Sequence, residues 1–296
     1  MMTGFLLPVE VAARKKGTAE APETGLIVKK GDVLEFALNE DYFDQDKQFE
    51  NLITWEFRRL KGDGSYTAWA PFGAQGKGTK FEHTTSEGGI YQLRIEVDGS
   101  HVDFVRDKDI PNIAGSDGVP NPELKAGKPD FVGVYDGDWQ KRVRDQALSH
   151  LGETKWSKAG AITGVGYGVD PTLNFRGSWK CNILLFMQAN DGSATVPTRV
   201  WRDCHAGLPP WTDRNVPPTA DEWEDSTVAI AKWRWLSNQS IPQPGFAVSR
   251  SRAGSCQIGI LDYDGTWINA GRNDINKSIY LMDGSYQPAK FIKYIP

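Results

Sequence analysis

Gly177-Ser178-Trp179-Lys180-Cys181-Asn182-Ile183-Leu184-Leu185-Phe186-Met187 runs from a glycine-bearing loop straight into an apolar segment, with a cysteine at the junction. The unbroken apolar stretch after Asn182 predicts a buried helix, and the loop residues before it predict that Cys181 opens its first turn. Backbone N–H groups and the positive end of a helix favour thiolate over thiol, so this position suits a nucleophile.

The surrounding sequence predicts how such a helix is housed. Upstream, Trp139 to Leu151 reads as an amphipathic helix with Val143, Ala147, Leu148 and Leu151 on one side and Gly152 as its stop. Gly160 to Gly177 is a long glycine-rich loop, of a kind that lets backbone approach a ligand closely. Downstream come a helix near Ala220 to Trp223, a strand after Pro244-Gly245, and a hairpin of Gln257 to Tyr263 with Thr266 to Ala270 across Asp264-Gly265. Helices first and an antiparallel sheet last make residues 131–296 an α+β domain.

The first half has a different texture. Leu26 to Phe36, Ile53 to Arg58 and Gly89 to Val97 alternate apolar and polar positions, and Asp98-Gly99 predicts a hairpin from Gly89–Arg94 to Val102–Val105. Residues 25–110 therefore read as a small all-β sandwich that resembles immunoglobulin-like or PKD-like modules. Residues 1–24 are taken as an N-terminal extension. The proline- and glycine-rich residues 111–130 are taken as a linker between the two domains.

Composition narrows the function classes. A chain of 296 residues is long enough for two cores. Its net charge of -4 leaves no general basic surface for nucleic acid. No apolar run reaches the length of a membrane span, and the opening Met1 to Pro8 lacks the basic leader of a secretory signal. Three cysteines, Cys181, Cys204 and Cys256, make no disulfide framework. Cys204 and Cys256 read as small buried residues, or as a pair in an oxidising compartment. Cys204-His205 lacks the further ligands of a metal site, so neither a metal nor another cofactor is expected.

The second half is similar to the NlpC/P60-like cysteine peptidases and amidases of bacterial cell walls, especially the branch found among type VI secretion effectors. The resemblance covers about residues 135–296. It rests on Ala147-Leu148 with Leu151-Gly152, Trp179-Lys180-Cys181-Asn182, Ala206-Gly207-Leu208-Pro209-Pro210 and Pro217-Pro218-Thr219-Ala220-Asp221-Glu222-Trp223, and then on Pro242-Gln243-Pro244-Gly245 and Ile258-Gly259-Ile260 with Tyr263-Asp264-Gly265. It implies a papain-like fold in which Cys181 attacks a stem-peptide amide of bacterial peptidoglycan. It also implies secretion without a cleavable signal into the periplasm of a target bacterium, with a secretion-apparatus component and an immunity protein as partners; otherwise the protein is cytoplasmic.

The family's Gly-His-x-Gly-Ile pattern falls on Cys256-Gln257-Ile258-Gly259-Ile260, which puts Gln257 where the histidine base stands. The orienting position falls on Asn269, whose carbonyl can accept from an imidazole N–H. An amide does not gain a proton near neutral pH, so Gln257 cannot act as the base. Of the histidines, His83 and His101 lie in the sandwich and His150 on the preceding helix. His205, in the loop after the nucleophile helix, is the candidate alternative base. Trp179 and Asn182, flanking Cys181, are candidate substrate-binding residues. Three readings follow: a cysteine amidase or endopeptidase, a catalytically impaired module that binds peptidoglycan or a protein partner, and another thiol chemistry such as acyl transfer.

Overall fold

The computed structural model describes residues 11–18, 26–38, 53–73, 76–78, 80–97, 100–102, 131–176, 180–202, 213–252, 255–271, 275–278 and 289–296. Among the described residues, nine strands build the first unit: β1 (Val11–Lys15), β2 (Ile27–Lys29), β3 (Val33–Leu38), β4 (Ile53–Arg59), β5 (Ala70–Pro71), β6 (Lys80–Thr84), β7 (Gly89–Val97), β8 (Ser100–Val102) and β9 (Phe131–Tyr135). One sheet has the order β1-β3-β6, and the other β2-β9-β7-β4-β5 with β8 also on β7. Alternation explains the layering: Ile53 and Trp55 point inward with Leu93 and Ile95 of β7, while Thr54 between them and Glu56 after them are only half-buried. Phe36 of the smaller sheet closes the core, 4.8 Å from the ring of Phe81 and 5.7 Å from that of Trp55. Trp55 also donates its Nε1–H to Gly78 O, so burying it leaves no orphaned donor.

Here the structure redraws several boundaries read from sequence. Residues 11–15, within the expected extension, form an outer strand paired to β3. The segment Leu26 to Phe36 forms two strands with a turn at Lys30-Gly31 between them, and its halves lie in different sheets. The β7–β8 hairpin is tighter than expected, pairing Ile95–Val97 with Ser100–Val102; residues 103–130, including the linker, lie outside the described residues. Phe131–Tyr135, expected to open the second domain, instead completes the first unit's sheet, parallel to β2 and antiparallel to β7. Its five buried residues have no solvent face, so it pairs where both faces are covered.

The second unit holds α1 (Asp138–Ser149), α2 (Cys181–Asp191), α3 (Ala220–Glu224), a hairpin of β10 (Arg199–Arg202) with β11 (Asp213–Val216), and an antiparallel sheet. That sheet takes β12 (Trp233–Trp235), β13 (Ala247–Arg252), β14 (Ser255–Leu261), β15 (Trp267–Ala270), β16 (Ile275–Ser278) and β17 (Lys290–Tyr294) in the order β12-β17-β13-β14-β15-β16. The expected α+β arrangement with an antiparallel sheet is present. Leu151, expected on the apolar side of α1, lies beyond the helix end and is exposed.

Both faces of this sheet are buried. Ala247, Ile258, Ile260, Ile268 and Ile292 pack beneath α1 and α2, whereas Val248, Leu261, Trp267 and Phe291 pack against Leu60, Ile90 and Phe131 of the first unit. The two units therefore share a seam. Gln243 Oε1 accepts from Asp136 N at 3.1 Å and Gln140 Nε2 at 2.5 Å, and Gly62 N donates to Ser240 O at 2.7 Å. A Cβ on Gly133 would stand 2.6 Å from Pro244 Cγ, so β9 passes this loop at a distance only glycine allows.

Candidate thiol site

Cys181 opens α2, as its position after the glycine-rich loop predicts. The helix is buried nearly all round, through Ile183, Leu184, Leu185, Phe186 and Ala189, which is why its sequence lacks an amphipathic rhythm. Lys180 precedes it with no side-chain cap. Its own ammonium is buried and donates to Ser157 O at 2.5 Å, tying the helix start to the turn after α1.

Cys181 is 4% exposed. Burial pushes it above the ordinary cysteine range, the backbone N–H groups of Ile258, Asn182 and Cys181 pull the other way, and the Asp221 carboxylate adds to the upward push. The net direction is upward, so at neutral pH the sulfur is a thiol. The N–H from Ile258 has a structural origin. Pairing of β14 with β15 runs through Ile260↔Ile268 and Leu261↔Trp267, and Ile258 lies beyond that ladder, where the sulfur takes its donor.

The structure thus brings Cys181 against the peptide that joins Gln257 to Ile258. Strand alternation then separates the side chains: Ile258 faces α2 together with Cys181, while Gln257 shares the opposite face with Gly259 and Leu261. Continuing the hairpin register sets Gly259 opposite Asn269, and a Cβ on Gly259 would stand 3.1 Å from Asn269 Cβ and 3.2 Å from Trp267 Cε3. Gln257 and Asn269 therefore lie on one face of the hairpin, Asn269 buried and Gln257 half-buried. Asn182 spends an amide N–H on Pro218 O at 3.0 Å, so it ties α2 to the segment before α3. Trp179, Cys204 and His205 lie outside the described residues.

Two other histidines are placed away from the thiol's contacts. His83 stands edge-on to Phe72 in the sandwich, and burial pushes its imidazole toward the neutral form. His150 lies just past α1, with Nδ1 3.0 Å from Glu153 Oε2 and its ring 5.7 Å from that of Trp156. Burial would raise the Glu153 carboxyl, but hydrogen bonds from Lys155, His150 and Trp156 bring it down to about 2.

Cys256, expected from sequence to be a small buried residue, is half-buried and free. Cys256 shares the helix-side face of β14 with Ile258, and its thiol donates to Glu224 of α3. Burial and the hydrogen bonds to Glu224 and Asp221 hold it far above the ordinary thiol range, so it too stays protonated. Alternation could have put Cys256 on this face, but only the docking of α3 on β13 and β14 supplies the carboxylates. Among the described residues no three His, Cys, Asp or Glu side chains are arranged to hold a metal ion, and no helix is long and apolar enough to cross a membrane. Comparison with models of protein families, with curated proteins and with solved structures finds no match to this chain.

Proposed function

We propose that the second unit is a papain-like NlpC/P60-type module that recognises bacterial peptidoglycan through its stem peptides with cleavage much reduced or lost, and that the first unit is an immunoglobulin-like sandwich fastened behind it. One observation carries this reading: Gln257, at the position where the resemblance places the base, turns its side chain to the face of β14 opposite Cys181, and its amide could not take up the thiol's proton from either face. Burial of the thiol and its upward shift support the same conclusion. The link to peptidoglycan, to type VI delivery, and to immunity and secretion partners rests on the motif resemblance.

A second reading, a cysteine amidase or endopeptidase with His205 as its base, draws support from the three backbone N–H groups at the sulfur. Such donors stabilise a thiolate or a developing oxyanion. Purified sacculi distinguish the two. On the first reading wild type sediments with sacculi and releases no soluble muropeptides by mass spectrometry, and Cys181→Ala sediments as wild type does. Release by wild type that is lost in both Cys181→Ala and His205→Ala would establish the second. A wild type that neither binds nor cleaves sacculi would overturn both.

A further inference from the structure

We propose that the loop of residues 162–175 is a carbohydrate-binding site, in which the exposed ring of Tyr167 stacks on a sugar of the peptidoglycan glycan strand; the choice of polymer rests on the peptidoglycan reading. The loop is built rather than slack. Phe175 N donates to Ile162 O at 3.1 Å and closes its base, while Ile162, Val165 and Val169 are buried in the core of the second unit. Inside it, Val169 N donates to Gly166 O at 3.0 Å. Compact surface loops whose ends meet in this way are frequently functional. Gly164, Gly166 and Gly168 have φ of +63°, +80° and +81°, and Tyr167, between the last two, has φ +52°. A residue with a Cβ is disfavoured in that region, where glycine is free of the penalty, so the tyrosine is kept against a local cost.

The strained position holds a fixed ring out in solvent. At 48%, Tyr167 is the only exposed aromatic side chain among the described residues. Its hydroxyl donates to Asp191 Oδ1, a bond that pushes its own ionisation up to about 12, and Phe186 meets the ring at 6.2 Å between centroids and 73° between planes. A Cβ on Gly164 or Gly166 would meet nothing within 4 Å, so the approach to the ring along the loop is open. The face of an aromatic ring is negative, which suits the C–H groups of a pyranose. Beside it stand hydroxyl acceptors: the exposed Asp191 carboxylate, and Thr198, whose Oγ1 lies 3.9 Å from the Cβ position of Gly168. A carboxylate in that place favours a neutral sugar over an anionic ligand. The spacing fits the polymer as well. Asp191 and Cys181 are the last and first residues of α2, about 15 Å apart along its axis. Roughly four extended residues cover that span, the scale of a stem peptide, so a glycan strand at Tyr167 and a stem peptide running toward Cys181 belong to one molecule.

The test titrates 15N-labelled full-length protein with a soluble β-1,4-linked N-acetylglucosamine oligomer, which has the sugar chemistry of the wall and no stem peptide, followed by NMR and calorimetry. Binding should saturate, with amide shifts centred on Gly166, Tyr167, Gly168 and Thr198. Asparagine tolerates left-handed backbone, so Tyr167→Asn keeps the loop and removes the ring; it should bind about tenfold more weakly, the equivalent of leaving one ring face in water. Tyr167→Phe keeps the ring and should bind within about threefold of wild type. No saturable binding, or equal binding by a folded Tyr167→Asn, would overturn the proposal. Should that variant not fold, the wild-type shifts decide: centred on this loop and Thr198 they support the site, and centred elsewhere they overturn it. Sugar binding by a protein that does not sediment with sacculi would leave the site standing and sink the peptidoglycan reading, and sedimentation without sugar binding would do the reverse.

Discussion

Arg144 of α1 and Asp262 just after β14 form a buried ion pair, and its removal gives a quantitative test of the architecture. Arg144 Nε lies 2.5 Å from Asp262 Oδ1, with the two side chains 1% and 0% exposed. Asp262 Oδ1 also accepts from Tyr263 N at 2.7 Å, and the guanidinium stands 5.7 Å from the centroid of the Tyr263 ring. Replacing Arg144 with Met keeps most of the volume but strands a carboxylate in the core, which costs about 3–5 kcal/mol. At roughly 2–4 °C per kcal/mol for a chain of this size, the melting temperature should fall by about 6–20 °C. Arg144→Met/Asp262→Leu should recover most of that loss, because a hydrophobic pair of similar volume replaces the ion pair without leaving a charge behind. Thermal and urea unfolding followed by circular dichroism measure the cycle. A loss below about 1 kcal/mol for Arg144→Met, or a double variant less stable than either single one, would refute the reasoning.

The Glu153 carboxyl, brought down to about 2 from an ordinary 4.5, contributes stability that is present above pH 4.5 and lost as pH falls from there toward 2. Its side chain is 36% exposed, so after screening the contribution is about 1 kcal/mol or less, and acid unfolding of Glu153→Gln should show a shallower slope across that window than wild type. Gly245 has φ +84°, and a Cβ there would lie 2.3 Å from Gln140 O. Gly245→Ala should cost about 2 kcal/mol or more in urea unfolding, because the left-handed strain and the contact with α1 act together; a neutral result would mean the loop before β13 shifts freely.

Local rules were enough to find much of the candidate site. A buried helix beginning at Cys181 follows from a glycine-bearing loop followed by an unbroken apolar run, and α3 stands where a helix near Ala220 to Trp223 was expected. The Asp264-Gly265 turn fixes the β14–β15 hairpin, and with it the shared face of Gln257 and Asn269. These features depend on helical and strand periodicity and on turn chemistry, which act over a few residues. What the sequence left open depends on contacts between segments far apart in the chain. Phe131–Tyr135 joins the first unit because β2 and β7 offer it two partners, and its apolar composition is silent about which sheet it enters. β15, Asn269 included, is buried on both sides because the first unit covers the back of the sheet, a seam visible only in three dimensions. The environment of the thiol was decided the same way: Cys181 carries the helix-start position that favours ionisation, but packing desolvates the sulfur. Periodicity places a residue on a face; only packing decides what covers that face.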